Sequence, residues 1–102
     1  KVGVLGLSYN LARELGPFNI RCNTILPGLI DNPRGRGLVE NYASENDLSV
    51  ESAEQEFLKF ISLRSWIKPS EIADTAYYLA SGAARHITGQ EIAVDGNCEW
   101  EQ

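Results

Sequence analysis

The feature that most constrains the fold is an apolar run, Ile20 to Leu26, that stops abruptly at Pro27-Gly28 and follows a helix-period segment beginning at Lys1. In that segment Val4, Leu7, Leu11 and Leu15 recur at helical spacing, with Leu5 and Ala12 widening the stripe. Gly16-Pro17 stops the helix, glycine as a left-handed cap and proline as a residue that cannot continue it. Ile20 to Leu26 is short, partly β-branched and bounded by turn signals, which predicts a strand. Pro27-Gly28 then marks a turn at the strand's carboxyl end. In an open α/β sheet the crevice beyond that end is where a nucleotide sits, and Gly28 has no side chain to keep a ligand from the backbone.

The rest of the chain continues the alternation. Two prolines and three glycines between Pro27 and Gly37 predict a loop. Leu38 to Ala43 makes one helical turn or two. Val50 to Ile61 is a helix with Ala53, Phe57, Phe60 and Ile61 on a common side. Lys68-Pro69 opens another, proline being tolerated in a first turn. Its stripe is Ile72, Ala73, Ala76, Leu79 and Ala80, and Ser81-Gly82 ends it. Glu91 to Val94 is a short final strand, and Asp95-Gly96 turns out of it. Helix, strand, long excursion, helix, strand is the order of a parallel α/β sheet. The excursion from Pro27 to Lys68 is too long for an ordinary connection, so it is expected to contain helices and to serve a site.

Composition narrows the function classes. No apolar run approaches the roughly 18–20 residues that a membrane span needs, so no membrane partner is expected. The net charge of -5 comes without a basic stripe to neutralise phosphates, which argues against nucleic acid. The segment from Glu40 to Glu56 contains no Lys or Arg and reads as a solvated face rather than a cation or partner site. Two cysteines without CxxC spacing and one histidine make neither a disulfide scaffold nor a metal site. Cys22 reads as a small core residue, His86 as a surface or helix-terminus residue, and the cytoplasm as the default compartment.

Lys1, Arg21-Cys22-Asn23-Thr24-Ile25-Leu26-Pro27-Gly28, Ile87-Thr88-Gly89-Gln90 and Val94-Asp95-Gly96 together resemble the C-terminal part of a short-chain dehydrogenase/reductase. The resemblance covers nearly the whole chain and is weakest from about Arg34 to Phe60. It implies a Rossmann-like, doubly wound parallel sheet, with residues 1–102 as the C-terminal portion of one NAD(P)-binding domain and residues 34–67 as its substrate-loop region. The chain opens on Lys1 and has no Met, so it is expected to begin partway through that domain. The glycine-rich phosphate loop, the tyrosine of a Tyr-x-x-x-Lys motif and the substrate-orienting serine would then lie outside it.

The same resemblance implies the site. Lys1 would be the lysine of Tyr-x-x-x-Lys, hydrogen-bonding the nicotinamide ribose and lowering the tyrosine pKa so that it shuttles a proton as hydride moves. Pro27, Gly28, Leu29 and Ile30 resemble the segment whose backbone lines the nicotinamide, with Ile30 pairing main-chain groups with the carboxamide. Asn32 stands where the family usually has threonine; its amide can also donate to the cofactor. Asn97 is a second departure, where glycine is common. Arg34, Arg36 and Arg64 flank the excursion and either bind an anionic group or are solvated loop charges. Tyr42, Phe57, Phe60 and Trp66 suit an apolar lid, and ordinary packing explains them equally well.

The function implied is an NAD- or NADP-dependent interconversion of an alcohol and a carbonyl on a small molecule. The parent would be an enzyme, and residues 1–102 alone would be inactive. The alternative is a non-catalytic α/β scaffold or assembly module. Family members are commonly homo-oligomers, dimers or homotetramers, and the helix from Lys1 to Leu15 resembles the one packed against a partner subunit.

Overall fold

The computed structural model describes residues 2–99. Four helices, α1 (Val2–Leu15), α2 (Pro33–Glu45), α3 (Val50–Leu58) and α4 (Pro69–Ala80), accompany two strands, β1 (Thr24–Pro27) and β2 (Glu91–Val94). The strands pair in parallel, with Thr24 opposite Glu91 and Pro27 opposite Val94. The alternation thus closes into the parallel sheet that it predicts.

Several boundaries differ from the sequence expectations, each for an identifiable reason. Gly16 is not the left-handed cap of α1. The chain makes a short 3-10 turn over Gly16–Phe18, and Asn19 takes the left-handed conformation at φ 62° while its N–H donates to the Gly16 carbonyl at 2.8 Å. Asparagine tolerates that region better than other non-glycine residues. The first strand begins only at Thr24; ahead of it the Cys22 carbonyl accepts from Gly89 N–H at 2.8 Å, and side-chain bonds replace the regular ladder. Asn23 Nδ2 donates to the Ile87 carbonyl at 2.9 Å and its Oδ1 accepts from Gln90 N–H at 3.0 Å. The Cys22 N–H donates to Thr88 Oγ1 at 3.0 Å, and Cys22 is half-buried rather than a core residue.

The segment read as a loop before Gly37 is instead the start of α2. Asn32 caps it, its Oδ1 accepting from Gly35 N–H at 2.7 Å, and Pro33 occupies the first turn. A good cap and a preset proline φ outweigh the helix-weakening glycines at 35 and 37. Gly35 is required there, since a Cβ would overlap the Ile30 carbonyl oxygen. Helix α3 ends at Leu58, short of Ile61, which leaves the helix and forms an antiparallel bridge with Cys98.

The excursion carries a core of its own. Val39, Ala43 and Ala53 are buried together, with Tyr42, Leu48, Phe57 and Trp66 packed against them. Tyr42 and Phe57 meet edge to face at 5.4 Å between ring centroids. Its base is closed by a parallel bridge between Ile30 and Ile67 and by Ile61, which is fully buried. Helix α1 turns Ala12 inward, with Leu5, Leu11 and Leu15 half-buried. Val4 and Leu7, counted in the same stripe, are instead 58% and 59% exposed, so the helix has a second apolar face. In α4 only Leu79 of its stripe is buried, and Ala73, Ala76 and Ala80 are exposed.

Candidate functional site

The carboxyl ends of β1 and β2 lie side by side, and the chain leaves both through turns. Gly28 N–H extends the pairing by donating to the Val94 carbonyl at 3.0 Å. An alanine Cβ at position 28 would stand 2.6 Å from Asp95 Cβ and 2.7 Å from Asp95 Cα. Glycine is therefore required by the neighbouring turn, a reason the sequence rationale did not include. Gly96 and Asn97 then take positive φ of 66° and 64°. Asn97 N–H donates to Asp95 Oδ1 at 2.8 Å and Asn97 Nδ2 to Ser62 Oγ at 2.6 Å. Asparagine thus meets the backbone requirement that a glycine would meet, and adds a tie to the returning excursion.

Beyond Gly28 the chain pairs with the far end of the excursion. Ile67 N–H donates to the Leu29 carbonyl at 2.9 Å, and Asp31 N–H donates to the Ile67 carbonyl at 2.8 Å. In a parallel bridge of this kind the flanking residues make the bonds, so Ile30's own N–H and carbonyl point the other way. The Ile30 carbonyl accepts from Asn32 N–H at 2.9 Å, and the Ile30 N–H has no partner among the described residues. Gly28, Leu29, Ile30 and Asn32 line one cavity of about 270 Å³, with Arg34, Gly35 and Leu38. Pro27 is the exposed last residue of β1 and is not in that lining. Lys1 lies outside the described residues.

The Asn32 side chain is half committed. Only its oxygen can accept from Gly35 N–H, so capping fixes the amide's orientation and leaves Nδ2 without a partner among the described residues. An open backbone N–H at Ile30 and an open amide at Asn32, on a small cavity floored by Leu29, fit the carboxamide and polar groups of a nicotinamide cofactor. The acceptor role of Asn32 went unread in the sequence, although Asn immediately before Pro is a recognisable cap-plus-first-turn signal.

The three arginines are used differently. Arg36 donates to Asp31 through Nε at 2.7 Å and Nη2 at 3.1 Å, reaches Glu54 at 3.3 Å, and stacks on Trp66 at 3.9 Å. Its hydrogen bonds hold the Asp31 carboxyl below the usual carboxylate value, and Asp31 in turn raises the guanidinium pKa. Glu54 also accepts from Trp66 Nε1 at 2.6 Å, so one cluster joins the Asp31 turn, α2, α3 and the 66–67 return. Arg64 turns back on the Ile61 carbonyl at 2.5 Å. The Arg34 side chain makes no hydrogen bond or ion pair among the described residues. Tyr42 and Trp66 belong to the excursion's core rather than to the cavity lining, and Tyr42 donates to Glu56 at 2.8 Å, which raises the phenol pKa.

Arg21 is a structural residue that the sequence reading passed over. Its Nη1 donates to the Leu79 carbonyl and, at 2.9 Å, to the Ala84 carbonyl, satisfying acceptors around the end of α4. Among the described residues no group of His, Cys, Asp and Glu could hold a metal, and no helix is long and apolar enough to cross a membrane.

Comparison with known proteins places this architecture. The family described as enoyl-(acyl carrier protein) reductase matches residues 1–97. A 3-oxoacyl-[acyl-carrier-protein] reductase of Chlamydia muridarum is 40% identical over 96 residues, covering 94% of this chain and 34% of the relative. The NADPH-dependent reductase BacG of Bacillus subtilis is 36% identical over 93 residues, covering 91% of this chain and 36% of the relative. A solved short chain dehydrogenase family protein from Francisella tularensis superposes with a TM-score of 0.88 at 31% identity, over 94% of this chain and 40% of its own. The chain therefore spans about a third of the length of the curated relatives it matches. With the motif residues bonded to one another across a Rossmann-like parallel pair, the chain belongs to the short-chain dehydrogenase/reductase family.

Proposed function

We propose that this chain is the C-terminal portion of a single NAD(P)-binding Rossmann-like domain, with residues 34–67 as its substrate-loop region. The whole protein interconverts an alcohol and a carbonyl on a small molecule. The observation that supports this most is the carboxyl-edge turn, where Ile30 and Asn32, each with a donor unpaired among the described residues, line one cavity. Bound there, NAD or NADP supplies the hydride. Gly28, Leu29 and Ile30 would form the wall against the nicotinamide, with the Ile30 N–H and the Asn32 amide as the groups that would hold its polar atoms. Lys1, by family position, holds the ribose and keeps the tyrosine poised to move its proton.

The test is a full-length preparation titrated with NADH and NADPH and assayed on aldehydes and ketones. Saturable cofactor binding with carbonyl-dependent oxidation is the expected result. A preparation that folds but neither binds nor oxidises either cofactor would sink the reading.

The same proposal includes a homo-oligomer, a dimer or homotetramer, in the cytoplasm. The outward face of α1, with exposed Val4, Leu7 and Tyr9, supports assembly. The free thiols of Cys22 and Cys98 suit a reducing compartment.

A further inference from the structure

We propose that Arg34 selects substrates that carry an anionic group, a carboxylate or phosphate, at the cavity beside the Gly28–Ile30 turn. The inference rests on the oxidoreductase reading above and adds a substrate class to it. The cavity combines an apolar floor, Leu29, Ile30 and Leu38, with polar side chains at Asn32 and Arg34. Both present donors only. Capping consumes the Asn32 carbonyl, because Gly35 N–H bonds it at 2.7 Å, and the amide nitrogen is left. A guanidinium accepts nothing at all.

The charge on Arg34 is also uncompensated. The acids of the neighbouring Arg36 cluster are already engaged. Asp31 is held by two nitrogens of Arg36 at 2.7 and 3.1 Å, and Glu54 is shared between Arg36 and the Trp66 indole. Arg36, two residues on, thus has a complete structural explanation, and Arg64 is turned onto the Ile61 carbonyl. Arg34 has no such partner among the described residues, yet it sits on the cavity that the turn builds. Arg34 is exposed at the edge of this apolar cavity, and a guanidinium fork there, with no acidic side chain in the lining, can take a planar or tetrahedral anion bidentately. A neutral substrate of the same shape gains nothing from the fork, which stays hydrated. The anion can come from the substrate or from the cofactor's own phosphates; we commit to the substrate.

The experiment uses the full-length protein with NADPH and NADH, and ketone pairs that differ only in a terminal carboxylate: 4-oxopentanoate against 2-pentanone, and their longer homologues. The quantity read is the ratio of kcat/KM for the acid to that for the neutral ketone, alongside the cofactor dissociation constant from fluorescence titration. Arg34→Gln is expected to lower the ratio about ten-fold, chiefly through KM of the acid, and Arg34→Lys to recover part of it. The cofactor dissociation constant should move less than two-fold. An unchanged ratio overturns the proposal and leaves the oxidoreductase reading intact. A ratio that holds while cofactor affinity falls assigns Arg34 to a cofactor phosphate and overturns it too. Absence of both cofactor binding and turnover on every pair removes the parent reading and this inference together.

Discussion

At the scale of single residues, the site turns are governed by close backbone approach. Gly28 and Asp95 are neighbours at the ends of the paired strands, so Gly28→Ala forces two backbones apart. A loss of about 1–3 kcal/mol is expected, as for other overpacked positions, read from the urea midpoint of the folded protein. Asn97 tests a different term. At φ 64° alanine meets the left-handed penalty, about 1 kcal/mol or more, whereas glycine does not. Asn97→Ala should therefore be less stable than Asn97→Gly, and both less stable than the parent because the Ser62 bond is gone. Equal stability of the two variants would show that backbone conformation is not what Asn97 satisfies. For catalysis, Lys1→Ala in the full-length protein should reduce turnover far more than Lys68→Ala, since Lys68 is an exposed residue at the start of α4. Comparable kinetics for the two would refute the role given to Lys1.

At the scale of elements, the excursion is organised by its own core and by Arg36, which ties α2 to α3 and to the Asp31 turn. Because the Asp31 carboxyl is lowered from 3.8 by the Arg36 hydrogen bonds, its contribution is present above the unfolded value and is lost as pH falls through the lower folded value. Arg36→Gln should lower the melting temperature at pH 7, and that difference should shrink at pH 3 and below. A difference that persists undiminished in acid would mean that the stack on Trp66, rather than the ion pair, does the holding. Tyr42, Phe57 and Trp66 were legible as either lid or packing, and the buried cluster around Val39, Ala43 and Ala53 decides for packing. The cavity wall nearest the turn is the first turn of α2 instead. Hydrogen exchange of the cofactor-bound full-length protein should then show added protection on a substrate analogue at residues 34–38, with little change in β1. Identical exchange at those residues in both states would remove the excursion from the site.

For the molecule as a whole, a two-stranded sheet leaves apolar surface uncovered on several helices, Val4 and Leu7 on α1 and Tyr77 on α4 among them. Leu7→Glu should shift the full-length protein to a smaller species in light scattering if α1 is a subunit contact; an unchanged mass would rule that face out. What the sequence by itself determined was the alternation of elements, the parallel sheet, β2 to the residue, and the motifs that mark the family. Those signals are local: periodicity, turn residues and short runs of matched residue types. The start of α2 at Pro33 follows from the local Asn32-Pro33 signal. Only tertiary structure decided that Arg21-Cys22-Asn23 pairs with residues 79–90 instead of extending β1, that Val4 and Leu7 face outward, and that Gly28 packs against Asp95. Each of these depends on which distant segment supplies the partner, and a hydrogen bond spanning more than sixty residues leaves no trace in the spacing of its neighbours.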